Sequence, residues 1–469
     1  MSDIRTLRQQ RGLGLRELAK IANVSLTELT RCERGLILPN KIFFEAIATV
    51  LDVNFIDLIN YHEVQLRKST PGEGYTTARP SQGSVYGRSQ PLVNNAINVV
   101  DLFCGTGGFS HGFERAKDFQ VTLGIDLLAD RTTTFIANHP KATAILNDIR
   151  TIDINLVELH SPLPDIIIGG PPCQGFSSIR PFRTLTEKDP RNNLFEAFVL
   201  VVNRFKPKWF VLENVVGLLT HERGDTLKTI IQLFQQIGYT ITWKILNTAL
   251  YGLPQRRERL IIIGNKEGKT FNWPAPTHYF NGRSMAGKAY GQRVSNMPLF
   301  EEKLEPAVSV MEAIHDLSEI EAGGSSNQYR QDIQPTAYEL LMRGNNHLLT
   351  LHEATNHSEK MLQIIRNAGH NRSALPKGMT SSGFSSSYSR LEPNLPSVTL
   401  TVNFVHPASN KCIHPFQDRA LTPREGARLQ GFADSYIFRG SRAQIVKQIG
   451  NAVPPLLGKI IAEALLKQF

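Results

Sequence analysis

The sequence predicts an α/β protein: a doubly wound parallel sheet, preceded by a small all-α unit and followed by a loop-rich domain. Three observations predict it. Between residues 97 and 268, short apolar runs alternate with helix-periodic stretches. Residues 4–60 show helical periodicity alone. Residues 269–400 lose both patterns and carry Gly-Gly-Ser-Ser at 323–326 and Ser-Ser-Gly-Phe-Ser-Ser-Ser at 381–387.

Composition bounds the reading. The chain has 469 residues, 41% hydrophobic and 20% charged, which excludes a disordered chain and allows two to four folding units at roughly 100–200 residues each. No stretch approaches ~18 uninterrupted apolar residues, so no membrane span is expected. The N-terminus is charged from Asp3 and has no apolar signal core, so a cytoplasmic, nucleoid-associated location is expected. Cys32, Cys104, Cys173 and Cys412 form no C-x-x-C pair, which argues against a disulfide framework or a structural zinc site. The net charge of +10 spreads as +3, +2, 0 and +5 over 1–96, 97–268, 269–400 and 401–469, and permits a polyanionic partner without specifying one.

In chain order, Leu15, Leu18, Ala19 and Ala22 lie at helical spacing, and Asn23-Val24 interrupts them. Ser25-Leu26-Thr27-Glu28 reads as a capping box opening a second short helix. Phe43, Phe44, Ile47, Ala48 and Leu51 give a further amphipathic helix, and Phe55–Ile59 another apolar stretch. Two short helices about a tight turn, in a bundle of about five, are the helix-turn-helix layout. Residues 1–66 resemble the Cro-repressor-like helix-turn-helix family, and that resemblance turns Ser25, Thr27, Glu28 and Arg31 toward DNA. Residues 67–96, rich in Ser, Thr, Gly and Pro, read as a flexible linker.

Ile97–Phe103, Val121–Ile125, Asp165–Ile168, Trp209–Leu212 and Leu260–Ile263 read as buried strands, with helices over Leu194–Phe205 and Thr226–Gln236. The first strand empties into Cys104-Gly105-Thr106-Gly107-Gly108, a turn that lets backbone approach a ligand without Cβ interference. Asp126 ends the next strand, where a carboxylate can accept from ribose hydroxyls, and Asp148 follows the third, within reach of an adenine amino group. These residues suit an adenosyl ligand and do not separate NAD from S-adenosylmethionine. No phosphate-binding G-x-x-x-x-G-K-[ST] occurs.

Cys173 sits in Gly170-Pro171-Pro172-Cys173-Gln174-Gly175 after the strand Asp165–Ile168, a fixed non-helical setting for a nucleophilic thiolate. The other cysteines read as buried filler. Glu213 follows the apolar strand Trp209–Leu212, where a partly desolvated carboxyl could act as an acid. Alternation along Gln255-Arg256-Arg257-Glu258-Arg259 puts Arg257 and Arg259 on one side.

With these motifs in this order, together with Arg419-Ala420-Leu421-Thr422-Pro423-Arg424-Glu425, Leu429-Gln430-Gly431-Phe432 and Gly450-Asn451-Ala452-Val453-Pro454-Pro455, residues 97–469 resemble the cytosine-5 DNA methyltransferases of restriction–modification systems. The resemblance implies a Rossmann-like S-adenosylmethionine-dependent domain over 97–268, a target-recognition domain over 269–400, and C-terminal motifs over 401–469 returning to the first. It implies attack of Cys173 on C6 of a flipped cytosine, Glu213 at N3, and Arg259 with Arg257 beside the activated ring. It assigns Phe103, Gly105, Thr106, Gly108, Asp126, Leu127, Asp148, Ile149, Pro172, Leu194 and Asn451 to the cofactor pocket. Position 126 is Asp where the family usually has Glu, and 127 is Leu where a bulky aromatic is common. Asn345, Asn346, His347, Arg372, Ser382 and Ser385 are candidates to read bases or phosphates. The implied partners are double-stranded DNA, a separate operator bound through residues 1–66, and a second copy paired through that unit. One branch of the family acts on tRNA, but the length of 269–400 and the DNA-reader-like N-terminus favour DNA.

Overall fold

A computed structural model describes residues 4–33, 41–53, 84–172, 193–280, 304–376, 378–380 and 386–469. It divides into two compact units, one holding the N-terminal helices up to Ser81 and the other built from Gln82–Phe438 and Arg442–Phe469.

The N-terminal unit contains α1 (Ile4–Gln10), α2 (Leu15–Ile21), α3 (Leu26–Glu33) and α4 (Lys41–Leu51). Ile4, Leu18, Ala19, Leu29, Phe43, Phe44, Ile47 and Leu51 bury one apolar stripe from each helix into a common core. Asn23 takes φ +50° at the α2–α3 turn, a conformation that Asn tolerates better than most residues. The Ser25 hydroxyl accepts from the Glu28 amide at 3.4 Å, the hydroxyl half of the expected capping box. Arg8 donates to both carboxylate oxygens of Glu33, at 2.7 and 3.1 Å, and ties the first helix to the end of the third. Phe55–Ile59 lies outside the described residues.

The larger unit is organised by an eight-stranded sheet of order β1-β4-β3-β2-β5-β6-β9-β7. Its strands are β1 (Ser84–Tyr86), β2 (Ile97–Leu102), β3 (Phe119–Asp126), β4 (Thr143–Leu146), β5 (Ile166–Gly169), β6 (Trp209–Val215), β7 (Thr240–Asn247) and β9 (Glu258–Asn265). β8 (Gln255–Arg256) pairs separately with Ser397–Val398. The five central strands, β4-β3-β2-β5-β6, are parallel as expected. The expectation of a wholly parallel sheet needs correction at both margins. β1 runs antiparallel to β4, and β9 runs antiparallel to both β6 and β7. A parallel crossover needs a long connection, whereas β7 returns through the short segment 248–257 directly into β9.

Alternation along each strand fills both faces. Val99, Val121, Ile168, Val211 and Ile261 face one core, with α5 (Gly108–Arg115), α6 (Ala129–Asn138) and the last helix. Val100, Leu123, Ile167, Leu212 and Ile262 face the other, with α7 (Ile154–His160), α8 (Asn193–Phe205) and α9 (Asp225–Gln236). Trp209 and Phe210, adjacent and on opposite faces, are both fully buried, each side chain worth about 1.5–3 kcal/mol of transfer free energy.

Two expected boundaries move. Residues 84–96, expected as linker, belong to the sheet unit: β1 pairs with β4, and the Gln120 side chain both accepts from and donates to the Val93 backbone at 2.8 and 3.0 Å. Composition hid this because Ser, Gly and Pro can satisfy backbone groups on a neighbouring strand as well as in water. Residues 67–83 lie outside the described residues. The expected break at 400/401 is absent, since Val310, Met342, Leu391, Leu400, Phe404, Leu421 and Ile449 share one hydrophobic cluster.

The chain ends in α14 (Arg442–Asn451) and α15 (Pro455–Leu466), separated at Ala452-Val453-Pro454. By length and composition 442–466 is apolar enough to cross a membrane, contrary to the expectation from uninterrupted runs. Here most of it is buried in protein, with α15 packed on α5. That packing is backbone on backbone. A Cβ on Gly112 would lie 2.3 Å from the Pro455 carbonyl oxygen and 2.6 Å from the Lys459 nitrogen. Alanine gains about 1 kcal/mol of helix propensity, but overpacking against rigid backbone costs about 1–3 kcal/mol. Gly112→Ala is therefore expected to lower stability by about 1 kcal/mol or more in urea titrations, with the loss set by how far the helices separate; unchanged or raised stability would contradict the contact.

Candidate active site

From β2 the parallel strands are added outward through β3 and β4 on one side and then through β5 and β6 on the other, so the order switches between β2 and β5, and open α/β sheets bind ligands at the carboxyl ends beside such a switch. Here β2 ends in a tightly wound turn: Phe103 takes φ +64°, Gly105 +54° and Gly107 +85°. A Cβ on Gly107 would come within 2.3 Å of His139 Nε2, and one on Gly108 within 2.4 Å of the Val453 carbonyl, so both glycines are demanded by what packs behind them. The turn is pinned by side chains. Asp126 accepts from the Gly105 and Leu128 amides at 2.9 Å each, the Tyr436 hydroxyl donates to the Thr106 carbonyl, and His139 bridges Glu114 (2.7 Å) and the Gly107 carbonyl (3.2 Å).

The turn walls a cavity of about 460 Å³, part of it open to solvent. Phe103, Gly105, Thr106, Gly108 and Asn451, five of the residues assigned from the sequence to a cofactor pocket, line it. So do Asp101, Arg131, Gly170, Glu213, Gln448, Ala452 and Val453, which sequence reasoning did not assign to the cofactor pocket. Asp101 is buried and accepts from Ser110 Oγ at 2.6 Å; burial pushes its carboxyl up to about 8. An acidic residue in an otherwise apolar strand was the available signal. Burial also raises the Asp126 carboxyl, against the opposing charge of Arg131. The Thr106 hydroxyl is buried in this wall with no hydrogen-bond partner among the described residues.

Glu213 projects from β6 into the same cavity, and Arg259 Nε lies 2.7 Å from its Oε1. A Cβ on Gly170 would come within 3.1 Å of Glu213 Oε2, so the glycine leaves room for the carboxylate. Burial lowers the Arg259 guanidinium and Glu213 opposes that shift. Arg257 is buried on the same side and donates to the carbonyls of Gly450 (3.3 Å) and Ala452 (3.0 Å), so it holds the C-terminal segment over the cavity. Asn214, which sequence reasoning passed over, donates to the Pro171 carbonyl at 3.2 Å, two residues before Cys173. Cys173 itself lies outside the described residues. Cys32, Cys104 and Cys412 are buried, as expected of filler.

Comparison with known proteins agrees with this arrangement. The family of C-5 cytosine-specific DNA methylases matches residues 97–467, and a helix-turn-helix domain matches residues 3–55. The chain belongs to the C-5 cytosine-specific DNA methylase family. It is 35% identical over 378 residues to the type II methyltransferase M1.HphI of Haemophilus parahaemolyticus, covering 79% of this chain and 87% of that one. It is 36% identical over 394 residues to the type II methyltransferase M.DdeI of Desulfomicrobium norvegicum, covering 78% and 88%. A solved structure of a prophage-encoded E. coli protein, described as a DNA modification methyltransferase, superposes with TM-score 0.61 at 25% identity, covering 79% of this chain and 99% of that one. The protein is a DNA (cytosine-5) methyltransferase of the type II restriction–modification kind that also carries a helix-turn-helix unit.

In this methylase the remaining expected pocket residues lie apart from the cavity wall. Asp148 is held by Arg150, whose Nε and Nη2 donate to it at 2.9 and 2.5 Å, and those bonds hold its carboxyl below the usual range. Ile149 and Leu194 are buried in the core beneath, whereas Leu127 and Pro172 are exposed. Of the candidate DNA readers, Ser25, Thr27, Asn345 and His347 are exposed and Glu28 is half-buried. Asn346 is used within its own turn, donating to the Leu348 carbonyl, and Arg372 reaches Thr380. Ser382, Ser385 and the side chain of Arg31 lie outside the described residues.

The raised Asp101 carboxyl carries a pH signature. Between the ordinary carboxyl value of 3.8 and about 8, the unfolded chain has released this proton and the folded chain retains it, so stability falls as pH rises through that window. Asp101→Asn removes this slope. Urea midpoints of the native protein and the variant, compared from pH 4 to pH 8, are expected to move against the native protein as pH rises; parallel profiles would mean that Asp101 ionises freely.

Proposed function

We propose that the protein methylates C5 of a cytosine swung out of duplex DNA, with Cys173 as nucleophile, and that residues 1–66 separately regulate transcription of its restriction–modification genes. The observation that carries the catalytic half is the Glu213–Arg259 pair, whose Glu213 lines the cavity at the sheet's switch point together with Gly170.

C5 of cytosine is too weak a nucleophile to accept a methyl group directly. Attack of the Cys173 thiolate on C6 forms a C–S bond and pushes the ring electrons toward C5 and N3. Glu213 donates a hydrogen bond or proton at N3, offsetting charge as the adduct forms, and Arg259 fixes the Glu213 carboxyl while adding a positive charge near the ring. C5 would then take the methyl carbon of the bound donor, its sulfonium sulfur leaving as a neutral thioether; water would take the C5 proton, and the released electron pair would expel Cys173 as the thiolate. The base must leave the helix to reach the thiol, which costs a few kcal/mol of unstacking. Asn214 supports this role by restraining Pro171 at the root of the Cys173 loop.

S-adenosylmethionine supplies the methyl group when bound. The cavity suits it: glycines without Cβ, an unpartnered buried hydroxyl on Thr106 and a buried carboxyl on Asp101 stand where an amphoteric ligand would need them. Phe103, Gly105, Thr106, Gly108 and Asn451 would hold it directly, with Asp126 buttressing the turn and Leu127, Asp148, Ile149, Pro172 and Leu194 bordering the adenosine end. Residues 84–268 with the last two helices form the chemical body and 304–438 the target-recognition part. The helix-turn-helix unit would bind an operator, paired with a second copy of the chain. The reading is of a cytoplasmic, nucleoid-associated enzyme.

Duplexes carrying 5-fluorocytosine at the target, incubated with S-adenosylmethionine, are expected to accumulate a covalent protein–DNA conjugate, because fluorine cannot leave as the C5 proton does. Cys173→Ala should form none and transfer no labelled methyl group, and Glu213→Gln should slow transfer by about 10²-fold or more. Absence of conjugate with the native protein would overturn the covalent route. Removing residues 1–65 is expected to preserve methylation and abolish binding to the promoter DNA of the associated genes; a folded truncation without methylation would instead assign that unit to target binding.

A further inference from the structure

One residue of the cavity wall has no part in the chemistry above. Arg131, in the first turn of α6, lines the cavity together with Thr106, Gln448 and Asn451. Among the described residues the five buried arginines each donate to a carboxylate or a backbone carbonyl: Arg257, Arg259, Arg419, Arg424 and Arg428. Arg131 is half-buried and makes neither an ion pair nor a side-chain hydrogen bond among the described residues. A guanidinium half out of water and without an acceptor is unfavourable unless a ligand supplies one.

The other charges of the cavity narrow what that ligand group is. Glu213 is neutralised by Arg259. The Asp101 carboxyl is bonded to Ser110 at the floor. Asp126, whose charge faces that of Arg131, spends both oxygens on backbone amides of the turn and makes no hydrogen bond to the guanidinium. Arg131 is therefore the basic group, among the described residues of the wall, left to meet an anion. The unpartnered Thr106 hydroxyl lies in the same wall and can donate as a second contact. A fork of N–H donors beside one hydroxyl fits a planar carboxylate.

We infer that Arg131, assisted by Thr106, binds the α-carboxylate of the methyl donor's amino-acid end and so selects an S-adenosyl ligand that retains that carboxylate. The inference rests on the S-adenosylmethionine reading above. Arg131 is then a positioning residue: it orients the donor by its far end and takes no part in bond making.

The test is equilibrium binding by calorimetry to the full-length chain, with three ligands: S-adenosylmethionine, S-adenosylhomocysteine and decarboxylated S-adenosylmethionine. The native protein is expected to prefer the two carboxylate-bearing ligands by about tenfold or more, the range of one charge-assisted contact. Arg131→Ala should bring that preference close to unity by weakening those two and sparing the decarboxylated ligand. Arg131→Lys should restore part of it, and Thr106→Val should lower it by a smaller factor. If Arg131→Ala weakens all three ligands equally, or leaves the preference intact, the assignment is overturned and Arg131 is structural. If the native protein binds none of them, the S-adenosylmethionine reading itself fails. Should the alanine variant not fold, Arg131→Gln, with similar volume and no charge, gives the same comparison.

Discussion

The site depends on a close approach of two helix backbones. α5 and α15 touch at Gly112 and Gly458, where a side chain on either would strike the other's main chain, a Cβ on Gly458 coming within 2.8 Å of the Phe109 carbonyl oxygen. Helices packed through ordinary side chains sit 8–10 Å apart, and glycines let these two sit closer. That contact lays the end of the chain directly over the turn after β2. It sets Asn451, Ala452 and Val453 as one wall of the cavity whose other wall begins more than 300 residues earlier at Phe103. The seam is then fastened by polar side chains. The Ala452 carbonyl accepts from Arg257 and, at 2.6 Å, from Gln430, while Gln255 donates to Leu429 and Gln430. Gln448 completes it by accepting from Thr134 and donating to Asp130 on α6.

Charge in the interior follows one rule on both sides of this seam: a buried ion is tolerated when its partners are fixed. Within residues 304–438, Arg428 is fully buried between Asp316 and Asp434, Arg424 and Tyr329 also reach Asp434, and Arg419 grips Glu425 through two bonds. Removing one member of such a set leaves a buried charge uncompensated, at a cost of about 3–5 kcal/mol. These bonds also explain why a segment of zero net charge and little regular structure holds its shape. The motif Arg-Ala-Leu-Thr-Pro-Arg-Glu, which carried part of the family resemblance, is in the main a structural knot, with Thr422 and Glu425 completing a capping box on Pro423–Leu429.

Much of the fold was legible because burial on both faces of a parallel strand leaves an unmistakable apolar run. Ile166–Gly169 and Trp209–Val215 could be read for that reason. Ser84–Tyr86 could not, being three half-buried residues on an edge, and neither could Thr240–Asn247, whose burial is mostly partial. The site was legible in its chemistry and less so in its division of labour. Glu213 and Arg259, which the resemblance alone implied for one ring, meet in an ion pair. Arg257, in the same run and equally basic, turns to two carbonyls that lie near it only after folding. Asp126 and Asp148 carried the right spacing for ligand contacts, yet one is committed to the Gly105 amide and the other to Arg150.

The sequence by itself determined which residue types stand at the strand ends, that one turn is free of side chains, and that a helix-turn-helix unit precedes the methylase, because local periodicity and glycine placement act over a few residues. Only the tertiary structure decided which of those groups share a cavity, which arginine pairs with a carboxylate and which with backbone, and that Arg131 faces the cavity without a partner. Hydrogen bonding and ion pairing in a low-dielectric interior depend on distances of 3 Å between residues hundreds apart in the chain, and no pattern along the sequence carries that information.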